Sequence, residues 1–204
     1  MIWPEPIILA SGSQRRKQLL RSAGWKVFVQ PAHVDDGQLN SRDIPARAWV
    51  AAMAWLKARS VMLQQFPGEL AGGTILAADT VCDLDGEIIG QPPDIESARD
   101  MISRFRNRSH RVTTGVCLLR TDGCCRRIFT DTANVSLGDL SDDMISEYLV
   151  TNAWQGKAGG YNLFERVADG WPLEWTGDES TIVGLPMRRL QSMLGSSSER
   201  EDQG

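Results

Sequence analysis

The chain has 204 residues, 42% of them hydrophobic and 24% charged, with a net charge of −4 at pH 7. That length fits one α/β domain, or two small lobes sharing a cleft, and the mildly acidic balance announces no broad nucleic-acid or membrane-binding surface. No apolar run approaches the roughly 20 residues that span a bilayer, no signal-peptide pattern opens the chain, and four cysteines without Cys-x-x-Cys spacing beside two histidines argue against zinc and for a reducing cytosol.

Pro6-Ile-Ile-Leu-Ala10 predicts a short buried strand, and Gln14 to Ala23 a helix with Ser13 as N-cap, Leu19, Leu20 and Ala23 as its apolar face and Gly24 as its stop. Arg15 and Arg16 then fall in the first helical turn, where the macrodipole favours acidic residues. Two cations there invite an anion. Free backbone N–H groups, the hydroxyls of Ser11 and Ser13 and two guanidinium forks can together cradle a phosphate. The plain alternative, both arginines projecting into solvent, is equally compatible with the spacing.

Lys26 to Gln30 reads as a second strand and leads into the polar His33-Val-Asp-Asp-Gly37. Pro45 opens a long helix whose Trp49, Ala52, Met53 and Leu56 share one face, expected to be core. Thr74 to Ala78 is another buried strand, and Asp85-Gly86 is a hairpin turn between Val81 to Leu84 and Glu87 to Ile89. Asp94 caps a helix running to Phe105, and Val112 to Leu119 and Arg127 to Leu137 form a long hairpin across Thr121-Asp-Gly123. Ser141 caps a helix to about Val150, a last helix follows Pro186, and the polar residues from Ser196 are expected to be a disordered tail. With no internal repeat and no long linker, residues 1–195 read as one α/β domain: an elongated mixed sheet with flanking helices.

Asp79 ends an apolar strand in this reading. An ionised carboxylate there is costly unless it meets a cation, a metal or hydrogen-bond donors, and strand ends are where α/β sheets place ligands. It can equally turn outward and cap a loop. Asp83 and Asp85 read as turn chemistry, because the Asp-x-Asp-Gly lacks the other ligands of a calcium loop. His110 has no Gly-x-Ser-x-Gly partner, which argues against a hydrolase triad. Trp171 and Trp175 suit core better than base stacking.

Read in order, five segments carry a resemblance. Leu9-Ala-Ser-Gly-Ser-Gln-Arg-Arg16 with Leu19-Leu20 resembles the opening signature of the Maf family of nucleoside triphosphate pyrophosphatases. Ala77-Ala-Asp-Thr-Val81 with Asp85-Gly86 and Gly90-Gln-Pro92 resembles its second, and Ser109-His-Arg-Val-Thr-Thr-Gly-Val116 its third. Lys157-Ala-Gly-Gly-Tyr161 and Val183-Gly-Leu-Pro186 match the fourth and fifth. The resemblance implies two lobes flanking a nucleotide cleft, in the manner of the Maf and ITPase-like folds. It also implies hydrolysis of a nucleoside triphosphate to monophosphate and pyrophosphate with Mg²⁺ or Mn²⁺. It places the catalytic base on Asp79, phosphate-binding arginines on Arg15 and Arg16, a helix lysine on Lys57 and an acidic pair on Asp35 and Asp36. Asp79 and Asp36 would hold the metal. Substrate contacts would come from Ser11, Ser13, Arg15, Arg16, Thr80, Gln91, Lys157 and Phe164. Ala78-Asp79-Thr80 resembles the branch acting on dTTP and UTP, with Thr80 as a specificity position. The partner is thus a nucleotide, neither nucleic acid nor membrane, and homodimerisation is left open.

Some positions depart from that pattern. Gln14 stands for proline, Gln18 for glutamate, Gln91 for the lysine of Gly-Lys-Pro, and Phe164 for a base-reading glutamine, which predicts a shallow substrate preference. Chemically, water attack on phosphorus needs neutralised charge, a hard cation and a carboxylate to orient the water. Arg15, Arg16, Lys57, Asp36 and Asp79 supply a minimum set for direct hydrolysis. The rival expectation is a nucleotide-binding regulator of cell division, with catalysis weakened at Gln91 and Phe164.

Overall fold

The apolar run from Thr74 extends well past Ala78. In a computed structural model, which describes residues 3, 5–34, 41–64 and 68–194, it forms the eleven-residue strand β3 (Thr74–Leu84). β3 anchors a mixed sheet with β1 (Ile7–Leu9), β2 (Val27–Val29), β5 (Arg108–Arg120), β6 (Arg126–Leu137) and β7 (Leu173–Thr176), in the order β2-β1-β3-β5-β6-β7. β1 runs parallel to β2 and β3, and the other pairings are antiparallel. The short β4 (Glu87–Ile89) returns along β3 through Asp85 and Gly86, whose φ values of 54° and 91° give the two left-handed residues that a tight hairpin turn needs.

Local capping chemistry sets several helix starts as expected. Ser13 accepts from the Arg16 N–H at the head of α1 (Gln14–Ser22). α2 spans Ala46–Met62, and Asp94 accepts from the Ser97 N–H at 2.7 Å to open α3 (Ile95–Phe105). Ser141 accepts from the Met144 N–H to open α4 (Asp142–Val150). Three short elements were not expected: α5 (Leu163–Ala168), β7 and α6 (Glu179–Val183). α7 (Met187–Leu194) closes the described chain.

Alternation along the strands separates two faces. Ile8, Ile75, Ala77 and Cys117 pack beneath α2, against Ala54, Ala58 and Val61. On the opposite face the apolar surface is split in two. Leu9, Leu76, Ala78, Val116 and Leu118 gather Leu20 of α1 and Leu190 and Leu194 of α7. Further along the same strands Cys82, Leu84, Val112 and Val135 gather Ile102, Phe105, Leu149, Tyr161 and Trp171. Between these two cores, on the same face, stand Thr80 and Thr114, paired across β3 and β5.

The helix α2 buries a different stripe from the one expected. Ala46, Val50, Met53, Ala54, Ala58 and Val61 are buried, whereas Ala52 is exposed and Leu56 is 37% exposed. The reason is proximity. A Cβ placed on Gly115 of β5 would lie 2.4 Å from the Val50 carbonyl oxygen, so the helix backbone rides on the sheet and small residues must face it. The bulky Trp49 and Leu56 are pushed to the flanks, and Trp55 receives the Arg126 guanidinium 4.5 Å from its ring centroid. Among the described residues no helix is long and apolar enough to cross a membrane.

Candidate functional site

The flanking strands on one side of β3 do not meet. β1 pairs with Thr74 to Leu76, β4 with Cys82 to Leu84, and the residues from Ala77 to Val81 have no strand neighbour on that edge among the described residues. Asp79 is therefore not at a strand end. It lies mid-strand, opposite Gly115, where its neighbours on one side have fallen away. Long pairing with β5 carries the strand through the polar Asp79-Thr80 pair.

Because successive side chains alternate, Asp79 and Thr80 leave this gap toward opposite faces. Asp79 faces α2, and the Lys57 Nζ donates to its Oδ1 at 2.6 Å, both side chains being largely shielded from water. The helix register that buries Ala54 and Ala58 delivers Lys57 to this spot. Such a shielded, charge-assisted contact fixes the carboxylate in one orientation.

Arg16 closes the gap from the sheet edge. Its Nε donates to the Gly184 carbonyl at 3.0 Å, Nη1 to the Ala78 carbonyl at 2.9 Å and to Ser11 Oγ at 3.2 Å, and Nη2 to Thr80 Oγ1 at 3.0 Å. Burial lowers the Arg16 guanidinium to about 10, partly offset by Asp79, while Arg15 adds to the fall; it stays charged at neutral pH. With four hydrogen bonds inside the protein, Arg16 is a clamp between α1, β3 and the end of α6. Arg15 differs: among the described residues its side chain makes no hydrogen bond or ion pair, and it lines the cavity next door.

That cavity, of about 150 Å³, lies on the Thr80 face. Thr80, Cys82, His110 and Val112 form its floor, and Ser13, Arg15 and Arg16 stand at one wall. Gln91, Lys157, Tyr161 and Phe164 stand at the other. The expected substrate contacts thus converge, except that Ser11 acts through Arg16 and the Ser13 N–H. Lys57 and Asp79 lie across the sheet, at the open edge of β3, and do not line this cavity. Asp36 lies outside the described residues. The polar and apolar linings suit an amphipathic ligand with an anionic end.

Lys157 is not a bare cation, since its Nζ donates to the Glu165 carboxylate. Asn162, at the head of α5, accepts from the Phe164 and Glu165 N–H groups and so aims both side chains. Phe164 meets Trp175 edge-on at 5.6 Å, and Trp171 is core, edge-on to Tyr148 at 5.1 Å. His110 stacks on Phe105 at 4.1 Å and faces the Tyr161 hydroxyl at 3.2 Å.

Burial lowers the His110 imidazole from 6.5 to about 4, so it is neutral near pH 7. In that window the unfolded chain binds the proton first, and stability should fall as pH drops from 6.5 toward about 4. His110→Gln should flatten this fall, read as urea midpoints at pH 7.5 and pH 5. An undiminished fall in the variant would assign the slope to carboxylates instead.

Four residues at the site were not singled out from sequence for these roles: Thr114, Thr181, Gly184 and Asp131. Thr114 sits in a recognised segment, but its proton goes to the Thr181 carbonyl of α6, an element too short to show a periodic pattern. Among the described residues no group of three or more His, Cys, Asp or Glu converges on a metal-sized site. A Mg²⁺-type ion needs only one or two carboxylates when phosphate oxygens and water complete its shell, and Asp79 fits that smaller requirement.

Residues 6–197 match the family model described as Maf-like protein. The chain is similar to a dTTP/UTP pyrophosphatase of Rhodopirellula baltica, 38% identical over 94% of this chain and 82% of that protein. It is likewise similar to dTTP/UTP pyrophosphatases of Acholeplasma laidlawii, 35% identical over 92% and 94% of the two chains, and of Pyrococcus furiosus, 35% identical over 89% and 90%. Among solved structures, a nucleoside-triphosphatase (dITP/XTP pyrophosphatase) of Mycobacterium abscessus aligns over 66% of this chain and 74% of its own, at 13% identity and a TM-score of 0.40.

Proposed function

This chain belongs to the Maf-like protein family, and we propose that it is a nucleoside triphosphate pyrophosphatase that cleaves dTTP and UTP to the monophosphate and pyrophosphate. The observation that carries the reading is the Lys57–Asp79 contact at the open edge of β3, across the sheet from a cavity with an uncommitted arginine. Pure nucleotide binding would not require a carboxylate next to phosphates.

In this reading Asp79 orients the attacking water and accepts its proton, as a general base must. Lys57 holds the carboxylate in register and adds positive charge where the phosphorane oxygens gain negative charge. Arg15 offers its guanidinium fork to non-bridging phosphate oxygens, and Arg16 keeps the edge of β3 in place. Asp79, joined by Asp36, would hold Mg²⁺ or Mn²⁺, which neutralises phosphate charge when bound. The nucleoside would occupy the apolar length of the cavity, toward Val112, His110 and Phe164. All four cysteines are free, in keeping with a reducing cytoplasm.

The test is pyrophosphate release from dTTP, UTP, CTP, GTP and ATP with Mg²⁺, Mn²⁺ or a chelator. Turnover of dTTP and UTP that the chelator abolishes is expected; nucleotide binding without any pyrophosphate release would turn the reading into that of a regulator.

Gln91 lines the cavity with a neutral amide, where a lysine would add one charge-assisted contact. Gln91→Lys should therefore lower KM for triphosphates by about ten-fold with kcat little changed, a contact of about 1–3 kcal/mol reduced by screening. A rise in KM would show that the amide itself serves the substrate.

A further inference from the structure

Thr80 sits between Arg16 and the hydroxyl of Thr114, whose direction is fixed by the Thr181 backbone carbonyl, while Asp131 holds the Thr181 side chain in place. Thr181 Oγ1 donates to the Asp131 carboxylate at 2.5 Å, because a carboxylate only accepts. Thr114 Oγ1 donates its single proton to the Thr181 carbonyl at 2.8 Å, for the same reason. The 2.8 Å contact between Thr80 and Thr114 can then be made only one way, with Thr80 donating. From the other side Arg16 Nη2, which can only donate, fills one lone pair of Thr80 Oγ1 at 3.0 Å. Thr114 is buried and sits opposite Asp131 on β6, while α6 supplies Thr181 and, one residue beyond its end, the Gly184 carbonyl that seats Arg16.

The hydroxyl of Thr80 therefore has no proton to give and one lone pair left, and Thr80 lines the cavity. We propose that Thr114, its proton taken by the Thr181 carbonyl, is a positioning residue that sets Thr80 as an acceptor only, with Asp131 anchoring Thr181, so that the site selects nucleotides presenting a hydrogen-bond donor to it. This rests on the nucleotide reading of the cavity. Two donors have the right chemistry, the imide N–H of uracil or thymine and a sugar hydroxyl. Cytosine carries a lone pair at the position of the imide N–H. A hydroxyl free to rotate would meet a donor or an acceptor equally, whereas a polarised one rejects the acceptor.

The experiment measures dissociation constants by calorimetry in chelator, so that it needs no turnover, for UTP, CTP and 3′-deoxy-UTP. The wild-type protein should bind UTP at least about ten-fold more tightly than CTP if the imide is read, or than 3′-deoxy-UTP if the sugar is read. Thr114→Val frees the Thr80 proton to turn into the cavity, and should bring that ratio within about three-fold. A purely structural loss would weaken all three ligands alike and leave the ratio standing, which would overturn the proposal. So would a wild-type protein that binds the three equally or not at all. Should Thr114→Val not fold, Thr80→Val must erase the ratio and Thr80→Ser must keep it; any other pattern rejects an acceptor at this position. Failure of the pyrophosphatase reading shows separately, as absent pyrophosphate release with the binding ratios intact.

Discussion

Asp79→Asn should reduce kcat by at least about 10²-fold, the low end of what a general base contributes, while the protein stays folded. That loss corresponds to about 2.7 kcal/mol of barrier. The substitution keeps volume and an oxygen to which Lys57 Nζ can donate, now at 2.6 Å to Asp79 Oδ1, so the gap in the sheet need not rearrange. What disappears is the negative charge and the basicity. Because Asp79 stands on the α2 face and the cavity on the other, KM should move much less than kcat. Wild-type turnover in a folded variant would remove Asp79 from the reaction, and a rise in KM alone would make it a binding residue.

Gly115→Ala should strongly destabilise the fold, costing about 3 kcal/mol or more. The new Cβ would sit 2.4 Å from the Val50 oxygen, 2.5 Å from the Val50 carbonyl carbon and 2.9 Å from the Ala51 nitrogen. All three are backbone atoms, so no rotamer change relieves the overlap. Either α2 lifts off β3 and β5 or β5 bows away. Lifting α2 also carries Lys57 away from Asp79, so surviving activity should fall with stability. Gly68→Ala is the control: its Cβ meets nothing within 4 Å, and it should shift stability by no more than about 0.5 kcal/mol. Urea unfolding midpoints of the two variants measure the difference, and equal midpoints would mean that α2 adapts at no cost.

How much was legible in the sequence follows from how local each feature is. Ser13, Asp94 and Ser141 act on N–H groups three residues away, and Asp85-Gly86 turns the chain within two residues, so their patterns suffice. The buried face of α2 depends on how closely a strand from elsewhere approaches, and the sequence of α2 alone favours its bulky residues as core. Asp79 looks like a strand end because two polar residues interrupt an apolar run; only the pairing of β3 with β5 carries the strand through. The segment holding α5, β7 and α6 has elements of four to six residues, too short for periodicity, although Asn162 and Asp178 each cap a helix and mark two of the starts. The convergence of Ser13, Arg15, Thr80, Gln91, Lys157 and Phe164 followed from motif order. The clamp made by Arg16 did not, because its partners Ala78 and Gly184 contribute backbone carbonyls, which leave no mark on sequence.

The gap along β3 has a consequence for how this protein meets other copies of itself in a crowded solution. An unpaired strand edge is a template for aggregation, since its N–H and C=O groups can recruit a foreign strand. Among the described residues the free stretch runs only from Ala77 to Val81, with β1 and β4 standing at either end. Arg16 already occupies the Ala78 carbonyl and adds a positive charge to the entrance. An incoming strand would need several consecutive backbone partners and would have to displace a buried guanidinium to find them. A phosphate group needs neither, so the same opening can admit a small anion while turning away a polypeptide.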